Sequence, residues 1–337
     1  MTIRATRRLA LAALLIAVSA PVATAQTSPI VMKLGTSTLN DSIHEWAKIF
    51  AAHVEKDSGG RIKVEVYPGN QLGTSPRMIE QTQLGSIQGV AGAPEFLSGV
   101  NPAFQVLGAP GLFKDLAHTN RVLQDPEFNA AYLNLGSNKG LKGIGLLISG
   151  PTLFVSRKPI TKLSDFKDLK TRVLSGRLQL AQIRKLGGAP VPMPLGEVLP
   201  ALQQGALDSV MSCIPVFVAL RYYDAAKYLV ETNHGLIAGA TMISKVWFDK
   251  LPPDLQDVIV KAGQKASNDV YQFSVDDVNR GRDAWIKAGG TVTRLEPAEQ
   301  EQLMKAMAEV GMQETQETPQ EKAMYELLRK VAARTAQ

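Results

Sequence analysis

Between Ile30 and Leu84 the chain switches repeatedly between two hydrophobic periods, and this alternation limits the fold more than any other feature. Ile30 to Gly35 is a short apolar run that ends in the polar turn Ser37 to Asp41. From Ser42 onward, Ile43, Trp46, Ala47, Phe50, Ala51 and Val54 recur at helical spacing, and Ser42 with Glu45 reads as a capping box. Gly59-Gly60 closes that helix. Ile62, Val64 and Val66 then alternate with Lys63 and Glu65, the period of a half-buried strand, before the turn Tyr67-Pro68-Gly69-Asn70 and a second helix over Ser75 to Leu84. Strands separated by helices pair through crossovers, so the expected arrangement is a parallel sheet.

Apolar segments near Ile87 to Ala91, Phe104 to Leu107 and Gly143 to Ile148 continue the strand pattern, with helical stretches around Ala117 to Leu123 and Glu127 to Leu135. A second set starts after Gly150-Pro151. It has strands at Leu153 to Ser156, Thr171 to Leu174, Ala189 to Val191 and Asp208 to Cys213, with helices over Gly176 to Leu186 and Leu195 to Gln204. From Pro252 to Lys287, the stripe Leu255, Ile259, Ala262, Ala266, Val270 and Phe273 predicts one helix long enough to lie across two lobes. A strand at Thr291 to Leu295 and helices over Pro297 to Val310 and Pro319 to Ala333 end the chain. A length of 337 residues suits two cores better than one. The reading is therefore α/β with two lobes, one formed by residues 26–148 with 239–278 and the other by 149–238 with 279–337. No flexible linker stands out, so strands are expected to cross between the lobes.

Arg4, Arg7 and Arg8, an apolar run from Leu9 to Ala20 and the small residues Ala23-Thr24-Ala25 form a secretory signal over residues 1–25. That apolar run is shorter than a membrane span needs. The mature protein is expected outside the cytoplasm, in the periplasm. Removing those three arginines lowers the formal charge of +6 to about +3, spread along the chain, which excludes a nucleic-acid footprint. The single cysteine, Cys213, excludes an intramolecular disulfide, and four scattered histidines make no metal-ligand spacing. No cofactor or metal is expected. A secreted hydrolase is the natural rival, but no G-x-S-x-G elbow, H-E-x-x-H pair or Cys-His arrangement occurs, and a lone thiol beside an apolar strand reads as packing.

Several blocks go further. The run from Gly60 to Gly73, Gln81 to Gly85, Pro110-Gly111-Leu112-Phe113, Leu163 to Val173 (LSDFKDLKTRV), Val191 to Pro194 with Glu197, Ala201 to Gly205 with Asp208, and Trp247 to Pro253 occur in order at regular spacing. In these the chain resembles the solute-binding proteins of tripartite ATP-independent periplasmic (TRAP) transporters, of the dicarboxylate-binding (DctP) type. The resemblance implies a two-lobed periplasmic binding protein fold with a long helix spanning both lobes. It also implies a non-enzymatic role: capturing a small carboxylate for a sodium-driven membrane permease of one small and one large subunit. The protein itself would be soluble and dock at the inner membrane.

The family's binding arginine maps onto Arg172, whose planar guanidinium grips a carboxylate bidentately. Many relatives carry a second arginine near Gly150 and Pro151; here that charge is gone, and Pro151 is counted as a ligand contact in its place. The polar pair that often follows the aspartate matching Asp208 is reduced to Ser212. Glu95 stands near the position of an arginine in sialic-acid binders, and it disfavours a second anionic group. These departures point to a monocarboxylate, such as a keto, hydroxy or aromatic acid. His44 at the first helix start, and Glu95 and Phe96 on a loop after a strand, are the first-lobe candidates. Tyr222, Tyr223, Asn233 and His234 fall in the crossover back to the first lobe. A ligand-sensing protein, or the binding protein of an ATP-driven importer, fits the same architecture.

Overall fold

The computed structural model describes residues 28–336; the secretory signal expected over 1–25 lies outside them. Strand β1 (Ile30–Thr36) turns Met32 and Leu34 into the core, where they meet Trp46 and Phe50 of helix α1 (Ser42–Asp57). The cap of α1 differs from the expected capping box. Asp41, with an extended backbone, accepts the His44 N–H on Oδ1 at 3.0 Å, while Glu45 pairs with Lys48 instead of reaching back. A carboxylate at the N-cap satisfies an otherwise orphaned amide, which leaves Ser42 as the first helical residue. Strand β2 (Ile62–Tyr67), helix α2 (Ser75–Leu84) and strand β3 (Gly89–Gly92) follow as the periodicity predicts.

The run Phe104 to Leu107 is not a strand. It lies in a 3-10 helix, Pro102–Gly108, that starts where Asn101 Oδ1 accepts the Ala103 N–H at 3.0 Å. Short apolar runs buried on all sides carry no periodicity by which strand and helix can be told apart. Helices α3 (Leu116–Leu123) and α4 (Pro126–Leu133) lead to β4 (Leu141–Pro151). Only Thr152 separates β4 from β5 (Leu153–Ser156), which belongs to the other sheet.

The second sheet is built from β5, β6 (Lys170–Val173), β7 (Ala189–Pro192) and β8 (Ser209–Ser212), joined through helices α5 (Arg177–Lys185) and α6 (Leu195–Gln203). Helix α7 (Ile214–Ala219) and strand β9 (Tyr228–Val230) complete this passage, and β10 (Leu236–Ser244) returns to the first sheet. All nine residues of β10 are buried, so it has no polar alternation to betray it. A short helix α8 (Lys245–Phe248) precedes the long helix.

That helix runs as α9 (Pro253–Asp269) and α10 (Tyr271–Lys287), with Val270 between them. Its hydrogen bonds continue across the joint, from Val270 N–H to Ala266 and from Ser274 N–H to Val270. α9 packs on α1 and β4, and α10 on α7, so the helix spans both halves as expected. Gly263 allows the close approach of α9 to β4: a Cβ there would stand 2.2 Å from the Ile144 carbonyl oxygen. β11 (Thr291–Thr293), α11 (Pro297–Gln313) and α12 (Pro319–Arg334) end the fold.

The sheets read β2-β1-β3-β10-β4 and β11-β9-β5-β8-β6-β7. β1, β2 and β3 are parallel, as are β6, β7 and β8, but the returning strand β10 and the crossing strand β5 run antiparallel to their neighbours. Both sheets are thus mixed where the sequence alone suggested parallel pairing. α11 packs on α5, whereas α12 lies on Pro102–Gly108, α3 and α4 and adds Met324, Tyr325 and Leu328 to the core there. Among the described residues no helix is long and apolar enough to cross a membrane.

Candidate ligand-binding site

Crevices at the carboxyl ends of parallel strands collect ligand contacts. In the first sheet those ends lead to Asp41, Asn70 and Glu95; in the second, to the segments after Val173, Pro192 and Ser212. The two sets face each other. Ser175 Oγ donates to the Glu95 carbonyl at 3.2 Å, Leu178 N–H donates to Gln105 Oε1 at 2.9 Å, and Gln182 Nε2 donates to the Gly108 carbonyl at 3.3 Å.

Arg172 sits at the end of β6, in register with Val191 on β7 and Val210 on β8, and is fully buried. Nε and Nη2 both donate to the Met193 carbonyl, at 2.9 and 2.8 Å, while Nη1 has no partner among the described residues. Burial pulls its pKa down, opposed by the neighbouring Tyr222 and Glu95. Glu95 is equally buried, in the 3-10 turn Pro94–Leu97 after β3, and neither carboxylate oxygen has a hydrogen-bond partner among the described residues. Burial raises its carboxyl to about 7 despite its own backbone N–H and Arg172, both of which favour the ionised form. A buried guanidinium with one free edge and only a carbonyl on the other has the geometry and charge to accept an anion.

The family model for bacterial extracellular solute-binding proteins, family 7 (DctP), matches residues 35–318. The chain belongs to this family. It is a TRAP periplasmic solute-binding protein, of a non-catalytic family. The 2,3-diketo-L-gulonate-binding periplasmic protein YiaO of Escherichia coli is 28% identical over 279 residues, 82% of this chain and 85% of that protein. A TRAP periplasmic solute-binding protein of Desulfovibrio salexigens, solved with orotic acid, superimposes with a TM-score of 0.85 at 25% identity and covers 90% of this chain and 99% of its own. Another from Shewanella oneidensis, solved with succinate, gives a TM-score of 0.84 at 26% identity over 90% of this chain and 99% of its own.

In this DctP-family chain the other predicted contacts are spread more widely. Ser212 is buried at the end of β8, two residues past the Val210 that faces Arg172. Phe96 packs in the core with Ile79, Val90 and Leu97. His44 is half-buried; its Nδ1 accepts the Asn40 N–H at 3.1 Å, and burial together with Lys48 pulls its pKa down. Pro151 lines a separate cavity of about 280 Å³ with Phe113, Asn233 and Leu236, beside the strand crossing. A larger groove of about 690 Å³, between Asn129, Asn134, Lys142, Phe248 and Gln264, holds none of the predicted residues.

The crossover residues Tyr222 and His234 lie in the interior. Tyr222 is buried near Arg172 with its hydroxyl 3.4 Å from the Leu195 carbonyl, and His234 stacks on Phe154 with ring centroids 5.3 Å apart. Burial drives the His234 imidazole down to about 3, so it is neutral. Cys213 lies 3.3 Å from Ser149 Oγ, and burial pushes its thiol up to about 12, which removes it as a nucleophile. Asp41 and Asp277, neither weighed as a site residue from sequence, both keep an unpartnered buried oxygen, and the Asp41 charge disfavours ionisation of Asp277. The Met193 carbonyl was beyond sequence reasoning, because backbone groups carry no residue-type signal. Among the described residues no group of three candidate ligands is placed to hold a metal.

Proposed function

We propose that this TRAP binding protein captures a small monocarboxylate, such as a keto, hydroxy or aromatic acid, on Arg172 and delivers it to a sodium-driven permease of one small and one large membrane subunit. The observation that carries the ligand class is the single, fully buried guanidinium with Nη1 unspent and Glu95 beside it. One cation neutralises one carboxylate, and a second ligand anion next to Glu95 has no partner. Among relatives, the D. salexigens protein was solved with orotic acid and the S. oneidensis protein with succinate, so the fold takes both charge classes and the choice rests with side chains.

Capture proceeds by lobe closure. The second lobe, 149–238 with 279–337, brings Arg172 and Ser212; the first, 26–148 with 239–278, brings Glu95 and His44 in the first turn of α1. Thr152, the segment 231–235 and the Val270 joint serve as hinges; within the C-terminal range α12 departs from the second lobe, since it packs on first-lobe elements and moves with them. The bound acid favours the closed form through the contacts made only there.

The test is a thermal-shift and calorimetric panel of orotate, lactate, pyruvate, benzoate, succinate and galacturonate on wild type and Arg172→Lys. Stabilisation by monocarboxylates that the variant loses is the expected result. Stabilisation by succinate alone would overturn the monocarboxylate assignment, and stabilisation by galacturonate alone would overturn the keto, hydroxy or aromatic class in favour of a sugar acid. Equal binding by the variant would overturn the role of Arg172.

A further inference from the structure

Glu95 is a second charge bearer beside Arg172, 1% exposed and with both oxygens unpartnered among the described residues. The Gly108 backbone packs closely on it: a Cβ there would stand 3.1 Å from Oε1. Few titratable groups face it. Arg172 approaches from β6, and the Tyr132 phenol from α4, with its hydroxyl already donated to the Phe104 carbonyl at 2.6 Å. From Pro102–Gly108 the nearby side chain is the neutral Gln105. Arg177 on α5 is matched by Glu314, Glu317 and Glu321.

Charge balance decides what happens when an acid binds. Arg172 brings one positive charge; an ionised Glu95 and an ionised ligand bring two negative ones. A closed chamber would then bury a net negative charge, which low-polarity surroundings strongly oppose. A proton on Glu95 restores neutrality and converts a repelling acceptor into an O–H donor.

We propose that Glu95 contacts the ligand in its protonated form, so that each carboxylate captured at Arg172 takes up one proton, which Glu95 holds and shares with the ligand as a hydrogen bond. This rests on the carboxylate reading above. In the free protein the Glu95 carboxyl already titrates at about 7, and an adjacent ligand anion raises it further. Protons are therefore taken up on binding above that pH and not below it, and affinity falls about tenfold from roughly pH 6 to pH 8.

Calorimetry near pH 8 in phosphate and in Tris counts the protons, because the two buffers release different heats on deprotonation. The probe is orotate, or the panel acid that stabilises most where orotate gives none. The expected result is an uptake approaching one proton per ligand in wild type, and binding in Glu95→Gln that is flat across the same pH range without uptake. Wild-type binding with no proton uptake and no pH dependence overturns the proposal while leaving Arg172 capture intact, as does binding of alanine, whose ammonium group balances an ionised Glu95, in preference to every panel acid. If no panel acid binds at any pH, the carboxylate reading fails and takes this inference with it.

Discussion

Arg172 donates from Nε and Nη2 to one carbonyl oxygen, that of Met193, and so holds its guanidinium plane fixed with Nη1 left to act. Because the carbonyl belongs to the segment between β7 and α6, the orientation of the guanidinium depends on a backbone turn of the neighbouring crossover. Lysine cannot reproduce this: it presents a point charge without a fixed fork.

Arg172→Lys is expected to weaken carboxylate binding by about 2–5 kcal/mol, the range for truncating one side of a buried hydrogen-bonded charge pair. Isothermal calorimetry reads this directly. Far-UV dichroism of the variant separates lost binding from lost fold.

Asp277 on α10 titrates at about 6, raised first by burial and then by Asp41, with Arg280 opposing. The folded protein therefore binds this proton more tightly than the unfolded chain, whose aspartate titrates near 3.9. This contribution is full below that value and is lost as pH rises through about 6. Asp277→Asn is expected to raise stability by about 1 kcal/mol at neutral pH, discounted for partial exposure, and to change little at about pH 4. Urea midpoints at the two pH values decide it; an equal effect at both rules out the ionisation argument.

Cys213 is fully buried with a thiol near 12, so the native protein is expected to resist maleimide at mildly alkaline pH and to react once urea unfolds it. Rapid labelling of the folded protein, read by mass spectrometry, would contradict the packing role.

Arg177 ties α5 to the last two helices through Glu314, Glu317 and Glu321 at 3.1 Å each, and Glu321 is fully buried. Arg177→Ala strands that carboxylate and is expected to cost about 3 kcal/mol by urea denaturation, within the range for breaking a buried pair. Adding Glu321→Gln should recover part of the loss, since Gln105 and the Glu317 N–H still hydrogen-bond the site. Strict additivity would show the two side chains to be energetically independent.

Much of this protein was legible from local pattern. The alternation between Ile30 and Leu84 and the stripe from Leu255 to Phe273 appear in the fold as the periodicities predict, because those elements bury mainly one face and that face has a fixed period. That Arg172 is not an ordinary surface arginine was legible only through the block Leu163 to Val173 and its family resemblance; as a single arginine it is indistinguishable from an exposed one. Local pattern failed where burial on all sides erased the period, at Phe104–Leu107 and β10, and where two residues competed for one cap, at Asp41 and Ser42. The direction of β5 and β10, the Met193 carbonyl under Arg172, and the approach of Glu95 to that arginine were decided by tertiary structure alone. These depend on which distant strand ends meet, and the energy that selects such meetings belongs to packing and burial rather than to any run of neighbouring residues.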